Sequence, residues 1–285
     1  MGSDEQFHFE GSDGARIAAY RWGAHGPVKA VLQISHGMGE HALRYLAPLQ
    51  PLREAGISIY AEDHRGHGRT SPDKLGDFGP GGFASIVDDM ARLSEVARRE
   101  NPGRKLILLG HSLGSFALQI YLVKHSALID GAVLSGSAAL DMLPPPDGEG
   151  GLKSFNKAFE PARTPFDWLS RNPAEVDKYI ADPLCGFDAT PESLMSVFAA
   201  AQVMFEPDAL KRIRPELPIY LFAGDKDPLN SNLAGLTPLI ERYRAAGIKD
   251  VTHDFYRDGR HEMLNETNRD EVVANLGRWI ARVAA

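Results

Sequence analysis

A repeated alternation between strand-length apolar runs and segments of helical periodicity restricts the folds open to this chain more than any other feature. Residues 29–35 and 57–61 are apolar runs of strand length, and between Tyr45 and Ala55 the apolar positions recur at helical spacing. Strand, helix, strand in that order requires a crossover and therefore parallel pairing. The pattern continues with a helix over 82–99, a strand over 105–109, a helix over 113–124 and a strand over 130–134. It resumes with a strand over 218–223, a helix over 232–246, a strand over 251–256 and a final helix over 268–283. Only the start differs: residues 6–10 and 16–22 flank the turn Gly11-Ser12-Asp13-Gly14 and read as an antiparallel hairpin. The expectation is an α/β fold with a mostly parallel sheet and helices on both faces.

One connection is out of scale. About eighty residues separate Leu134 from Pro218, whereas a whole strand, crossover and strand fits into roughly thirty. The insertion opens on a stiff-then-flexible tether, Pro144-Pro145-Pro146-Asp147-Gly148-Glu149-Gly150-Gly151, and continues with helical stretches, the clearest from Pro191 to Phe205. It is read as a helical cap over residues 139–212, set into a single domain spanning 1–285.

Composition excludes several functions. A net charge of 31 − 38 = −7 without a Lys/Arg cluster argues against nucleic acid as a partner. The acidic N-terminus has no apolar stretch and no run elsewhere is long enough to span a bilayer, so a cytoplasmic protein is expected. The lone Cys185 cannot form an internal bridge and reads as a small buried apolar residue.

The chemistry centres on Gly110-His111-Ser112-Leu113-Gly114. A Gly-x-Ser-x-Gly string arises by chance in about one chain in five of this length, so its setting has to carry the argument. Here it joins a buried strand to a helix with Phe116, Ala117, Ile120 and Tyr121 on one face, which puts Ser112 in a tight strand-to-helix turn. A serine hydroxyl needs a base, and the base needs an orienting acid. Among ten histidines, His261 is the preferred base, because it follows the 251–256 strand through Asp258-Gly259-Arg260 and precedes the final helix, which places it at the sheet edge of Ser112. The acid should come from another strand end. Asp225 and Asp227, after the 218–223 strand, both qualify, and Asp227 is preferred. Backbone N–H groups of Met38, in the glycine-containing loop 35–41, and of Leu113, after the nucleophile, are the expected oxyanion donors. Glu40 and His41 are read as braces of that loop.

These motifs together resemble the α/β-hydrolase superfamily. Residues 36–41 (His-Gly-Met-Gly-Glu-His), 63–68 (Asp-His-Arg-Gly-His-Gly), 110–114, 224–227 and 259–262 occur in the family's order, and the chain is most similar to the monoacylglycerol lipase and lysophospholipase branch. The resemblance implies an eight-stranded sheet, a helical cap between the sixth and seventh strands, a triad matching Ser112, Asp227 and His261, and oxyanion donors matching Met38 and Leu113. It implies a serine carboxylic-ester hydrolase acting on a small monoacyl ester through an acyl-enzyme. The alternatives are a lysophospholipase, for which Arg163, Arg171 and Lys178 could supply a basic pocket, and a broad short- or medium-chain carboxylesterase. Aspartate-nucleophile relatives are excluded by Ser112, and proline iminopeptidases are disfavoured because Met38 and Glu40 depart from their His-Gly-Gly-Pro-Gly loop.

The resemblance requires no cofactor. A metal reading of Asp63, His64 and His67 gives way to a structural role beside the nucleophile turn. Met142, Leu143, Phe159, Phe198 and Met204 are candidates to line an acyl channel, although each could equally pack the cap. Substrates of this class partition into bilayers, which allows transient peripheral contact through the cap. The cap nevertheless lacks a basic amphipathic helix. The sequence leaves the oligomeric state open.

Overall fold

The computed structural model describes residues 4–142 and 151–285. Its strands are β1 (Glu5–Glu10), β2 (Arg16–Trp22), β3 (Ala30–Ser35), β4 (Ile57–Glu62), β5 (Lys105–His111), β6 (Gly131–Ser135), β7 (Ile219–Gly224) and β8 (Val251–Tyr256). They form one eight-stranded sheet in the order β1-β2-β4-β3-β5-β6-β7-β8. Only β1–β2 and β2–β4 pair antiparallel; the remaining neighbours are parallel. The expected fold class is borne out.

Period-two alternation along the central strands builds two apolar layers. Val31, Leu106, Leu108, Leu134 and Leu221 face one side, where they meet α2 (Gly82–Glu100), α3 (Leu113–His125) and α6 (Thr237–Ala245). Leu32, Ile34, Ile107, Leu109 and Phe222 face the other, against α1 (Gln50–Glu54) and α7 (Arg269–Ala284). Because β3, β5 and β6 run parallel through the middle of the sheet, the loops leaving their C-terminal ends collect at one edge, where ligands of open α/β sheets bind.

Two helix expectations need correction. The stretch 45–55 is not one helix but a 3₁₀ turn at Ala42–Tyr45 followed by the short α1. Pro48 and Pro51 interrupt it, because proline lacks the N–H and clashes with the preceding turn. The helix expected from Asn232 starts instead at Thr237, since Ser231, Asn232 and Leu233 all take positive φ.

Between β6 and β7 the chain leaves the sheet. Its α-helices are α4 (Pro173–Ala181) and α5 (Pro191–Ala201), started by side-chain caps from Asn172 and Thr190 with proline in the first turn. Most of the remaining helical structure there is 3₁₀, shorter than the expected helices. A small core of Phe166, Trp168, Leu169, Val176 and Tyr179 holds one part together. The other part, α5, packs on α2, where the Phe78 and Phe83 N–H groups donate to Ser193 Oγ and Ser196 Oγ, each at 2.9 Å. Leu143 and most of the proline-rich tether lie outside the described residues. Among the described residues no helix is long and apolar enough to cross a membrane.

Candidate active site

Ser112 follows β5 and occupies the N-cap position of α3 with φ 51° and ψ −118°. This region is sparsely populated for any residue with a Cβ, and such residues cost about 1–3 kcal/mol. The turn closes because its flanking residues are glycines. A Cβ on Gly114 would lie 2.1 Å from the Ser35 carbonyl oxygen, and one on Gly110 would lie 2.4 Å from that of Gly114. The backbone is held on both sides: Ser112 N–H donates to Ser135 O at 2.9 Å, and Ser112 O accepts from Ser115 N–H at 2.8 Å.

The candidate base and acid come from neighbouring strand ends, those of β8 and β7. His261 Nδ1 lies 2.9 Å from Asp227 Oδ2, and both residues are buried. Asp227 is fixed in turn by Leu229 N–H, at 2.9 Å to Oδ1, and Asn230 Nδ2, at 3.3 Å to Oδ2. Asp225 instead accepts from Asp258 N–H at 2.8 Å, so the carboxylate facing the imidazole is that of Asp227. Burial alone would lower the His261 pKa, but the charge and hydrogen bond of Asp227, followed by Glu262 and Glu40, outweigh it and raise the pKa above the usual imidazole value. With Nδ1–H donating to Asp227, Nε2 is the nitrogen left to accept a proton.

The loop after β3 lies against Ser112. A Cβ on Gly37 would lie 3.2 Å from Ser112 Cβ. Among the described residues, the N–H groups of Met38 and Leu113 donate to no protein acceptor. Buried neutral histidines brace this loop from beneath. His67 Nε2 accepts from Gly39 N–H at 3.3 Å, His36 Nε2 from His64 N–H at 2.9 Å, and His64 Nε2 lies 3.0 Å from Ser35 Oγ. Burial holds His36 down at about 4 and His67 at about 3, so neither charges near neutral pH. Asp63 completes the brace by accepting from Ala42 N–H at 2.9 Å and Tyr20 Oη at 2.8 Å.

Two further groups bear on the site: Glu40, read from the sequence only as a brace of this loop, together with Arg44, to which the sequence reading gave no role, and the inserted segment, whose contact with His261 it did not foresee. Glu40 accepts from Gly37 N–H at 2.6 Å and Tyr45 Oη at 2.8 Å. Arg44 donates to Glu40 at 2.6 Å and to both oxygens of Glu262 at 2.6 and 2.7 Å. Burial would raise the Glu40 carboxyl, but Arg44, then His111 and His36, hold it at about 2. A charged strut thus joins the oxyanion loop to the residue beside the base. The second group is the inserted segment itself. The Trp168 ring lies 4.8 Å from that of His261, and Leu169 O accepts from Glu262 N–H at 2.7 Å. The ring of His111, also buried, lies 4.8 Å from His261 on another side. Only the fixed spacing of Glu40 and Arg44, four apart, left a trace in the sequence.

The pocket candidates are less convergent. Met142 lies on the surface, 47% exposed, and so does not line an enclosed channel. Phe159 packs at the small core under the Arg260 guanidinium, 4.2 Å from its ring centre. Met204 packs on the main core, and Phe198 is half-buried on α5. Leu143 lies outside the described residues. The cavity beside His111, lined by Glu40, Arg44, Tyr45 and Glu262 among others, measures about 10 Å³, room for a water molecule and not for an acyl chain. Nor do the three cap cations form a phosphate pocket. Arg163 pairs with Asp177 at 2.6 Å, Arg171 with Glu266 at 2.9 Å, and Lys178 with Glu175 at 2.9 Å.

A family model described as serine aminopeptidase, S33, matches residues 26–268. The monoacylglycerol lipase of Mycolicibacterium smegmatis is 29% identical over 278 residues, covering 95% of each chain. The monoglyceride lipase of Mus musculus is 26% identical, covering 98% of this chain and 91% of its own. Among solved structures, a thermostable carboxyl esterase from Bacillus coagulans, in complex with glycerol, superposes with a TM-score of 0.89 at 25% identity over 100% of both chains. The monoacylglycerol lipase of Paleococcus ferrophilus gives 0.73 at 26% identity, over 94% of this chain and 99% of its own.

Proposed function

The chain belongs to the serine aminopeptidase S33 family of hydrolases, and from that premise we propose that it is a carboxylic-ester hydrolase acting on monoacylglycerols. The observation that carries the reading is the convergence of three elements at one sheet edge: the strained Ser112 turn, the His261–Asp227 pair at 2.9 Å, and the two unpaired N–H groups of Met38 and Leu113. The Mycolicibacterium smegmatis and Mus musculus relatives, which align over nearly the whole chain, are monoacylglycerol lipases.

In this reading Ser112 Oγ attacks the ester carbonyl as His261 Nε2 takes its proton. The tetrahedral oxyanion is held by Met38 and Leu113 N–H, each such donor being worth about 3–4 kcal/mol in the transition state. His261 returns the proton to the departing glycerol oxygen, leaving an acyl-Ser112 ester. Water, deprotonated by the same nitrogen, attacks that ester and releases the fatty acid. Asp227 holds the tautomer that keeps Nε2 free and stabilises the imidazolium formed in each half-reaction. Trp168 and the inserted segment cover His261, so this segment acts as a cap that moves aside to admit substrate. The pairing of Arg163, Arg171 and Lys178 with acidic neighbours supports an uncharged alcohol over a phosphate-bearing one.

The test is one panel: p-nitrophenyl esters from acetate to palmitate, monoacylglycerols, a diacylglycerol, lysophosphatidylcholine and a peptide amide. Monoacylglycerol should be preferred. Preference for lysophosphatidylcholine, or for the amide, would sink the reading, and activity confined to acetate and butyrate esters would reduce it to a short-chain esterase. Ser112→Ala should lower kcat by up to about six orders of magnitude, by analogy with other triads.

A further inference from the structure

His41, Asp182 and Cys185 come from distant parts of the chain and converge on one point. His41 follows the oxyanion loop, while Asp182 and Cys185 follow α4 in the inserted segment. A ring nitrogen, a carboxylate oxygen and the thiol sulfur of these residues all lie within 4.8 Å of one another. His41 Nε2 is 2.9 Å from Asp182 Oδ2. The backbone around them is already ordered: Cys185 N–H donates to Asp182 O at 3.0 Å, and Leu184 N–H donates to Asp182 Oδ1 at 2.9 Å, which leaves Oδ2 facing the imidazole. His41 is buried, whereas Asp182 and Cys185 are half-exposed and open a route from solvent. The nearby Arg44 is paired with both Glu40 and Glu262, so it presents little net charge to a cation.

We propose that His41, Asp182 and Cys185 bind a divalent cation of zinc type, and that the bound ion pins the inserted segment to the oxyanion loop. One imidazole, one thiolate and one carboxylate suit zinc, with water in the fourth position, and do not suit magnesium, which takes oxygen ligands. With bonds of about 2.0–2.3 Å, tetrahedral ligand atoms stand roughly 3.3–3.7 Å apart, so the widest separation in the cluster needs to shorten by about 1.5 Å at most. On binding, the Cys185 Sγ–H proton leaves to solvent as the metal–sulfur bond forms, the His41 ring proton passes from Nε2 to Nδ1 by exchange with solvent, and the His41–Asp182 hydrogen bond gives way to two metal bonds. No electron is transferred, and the ion takes no part in ester cleavage.

The consequence is mechanical. Gly186 N–H donates to Gly39 O at 2.9 Å, and the Phe187 carbonyl sits against Gly39, only 2.7 Å from where a Cβ would stand. An ion gripping Asp182 and Cys185 from His41 holds that contact shut. If the segment must lift for substrate to reach Ser112, the ion is an inhibitor.

The experiment titrates the metal-free full chain with Co²⁺, followed by absorbance, and with Zn²⁺, followed by calorimetry, with Mg²⁺ as control. A thiolate-to-cobalt charge-transfer band and binding of a single Zn²⁺ are expected in the wild type. Both should be lost in Cys185→Ser, and Zn²⁺ binding should be lost in Asp182→Asn, which preserves side-chain shape should the first variant misfold. Absence of the band, or Zn²⁺ binding unchanged in either variant, overturns the site. A second arm measures p-nitrophenyl butyrate hydrolysis: Zn²⁺ should suppress it in the wild type and not in Cys185→Ser. Metal binding without loss of hydrolysis overturns the pinning. The spectroscopic arm needs no turnover, so failure of the site is distinguishable from failure of the ester-hydrolase reading, on which only the second arm rests.

Discussion

In the proposed mechanism, Asp227 decides at which pH His261 can act. Its carboxylate is the main influence raising the imidazole above its ordinary value. Because the neutral ring is the base, kcat/KM should fall as pH drops through that raised value. Asp227→Asn should lower kcat by about four orders of magnitude, by comparison with the worked serine-protease triad, and move the acidic limb to lower pH. A pH profile with the limb unmoved would count against Asp227 as the orienting acid. Stability runs with the opposite sign. The imidazolium–carboxylate pair stabilises the fold fully below the unfolded histidine pKa, and that contribution is lost as pH rises through the folded one. Ser112 poses a related trade. Its φ of 51° is strained for serine but open to glycine, so Ser112→Gly should abolish hydrolysis while raising stability by about 1 kcal/mol, read from urea unfolding. An unchanged or lower midpoint would show that the turn stores no strain. Ser112, His261 and the Asp225/Asp227 pair were legible in the sequence because each sits at a strand end whose chemistry is local. Trp168 was not, since its position against His261 depends on the path of the inserted segment.

At the scale of elements, the base loop and the inserted segment form one unit. Glu266 is buried and accepts from Arg171 N–H and Arg260 N–H, both at 3.0 Å, from Thr267 N–H at 2.8 Å, and from Arg171 Nε at 2.9 Å. Ser170 Oγ adds a bond to Asn265 O at 2.9 Å. Removing the carboxylate strands several donors, so Glu266→Ala should cost about 3 kcal/mol, less if water reaches the half-exposed Arg171. Because Arg260 precedes the base, kcat should fall more than KM rises, and Glu266→Gln, which keeps one acceptor oxygen, should recover part of the loss. A variant with wild-type kcat would separate the anchor from the base. The Arg171–Glu266 and Ser170–Asn265 pairings join residues 95 apart, and no local pattern announces them. The strands were legible because alternation and apolar runs are local properties. The helix expected over 45–55 failed for a local reason too, as two prolines outweigh a good apolar spacing.

At the scale of the whole molecule, polarity is unevenly shared. Among the described residues, the large apolar side chains that stand well exposed are Met142, Ile180, Met195 and Phe205, all in the stretch between β6 and β7 at 46–62% exposure, and Phe255 on β8. Hydrophobic surface gathered on one segment is the arrangement expected of a contact with an apolar phase. The net charge of −7 then gives the character of that contact. With no basic cluster to attract anionic headgroups, attachment should come from apolar insertion, weaken little as salt rises, and be no stronger on anionic vesicles than on zwitterionic ones. Burying a Met and a Phe contributes about 1.5–3 kcal/mol each, so Met195→Asp with Phe205→Asp should lower vesicle partitioning by about a hundredfold or more. Hydrolysis of monoacylglycerol dispersed in the same vesicles should fall in parallel, while that of a soluble p-nitrophenyl ester should hold, because neither side chain touches the triad. Sedimentation of phosphatidylcholine vesicles with and without salt measures the first effect. Equal partitioning of the double variant and the wild type would mean that the exposed residues serve another contact.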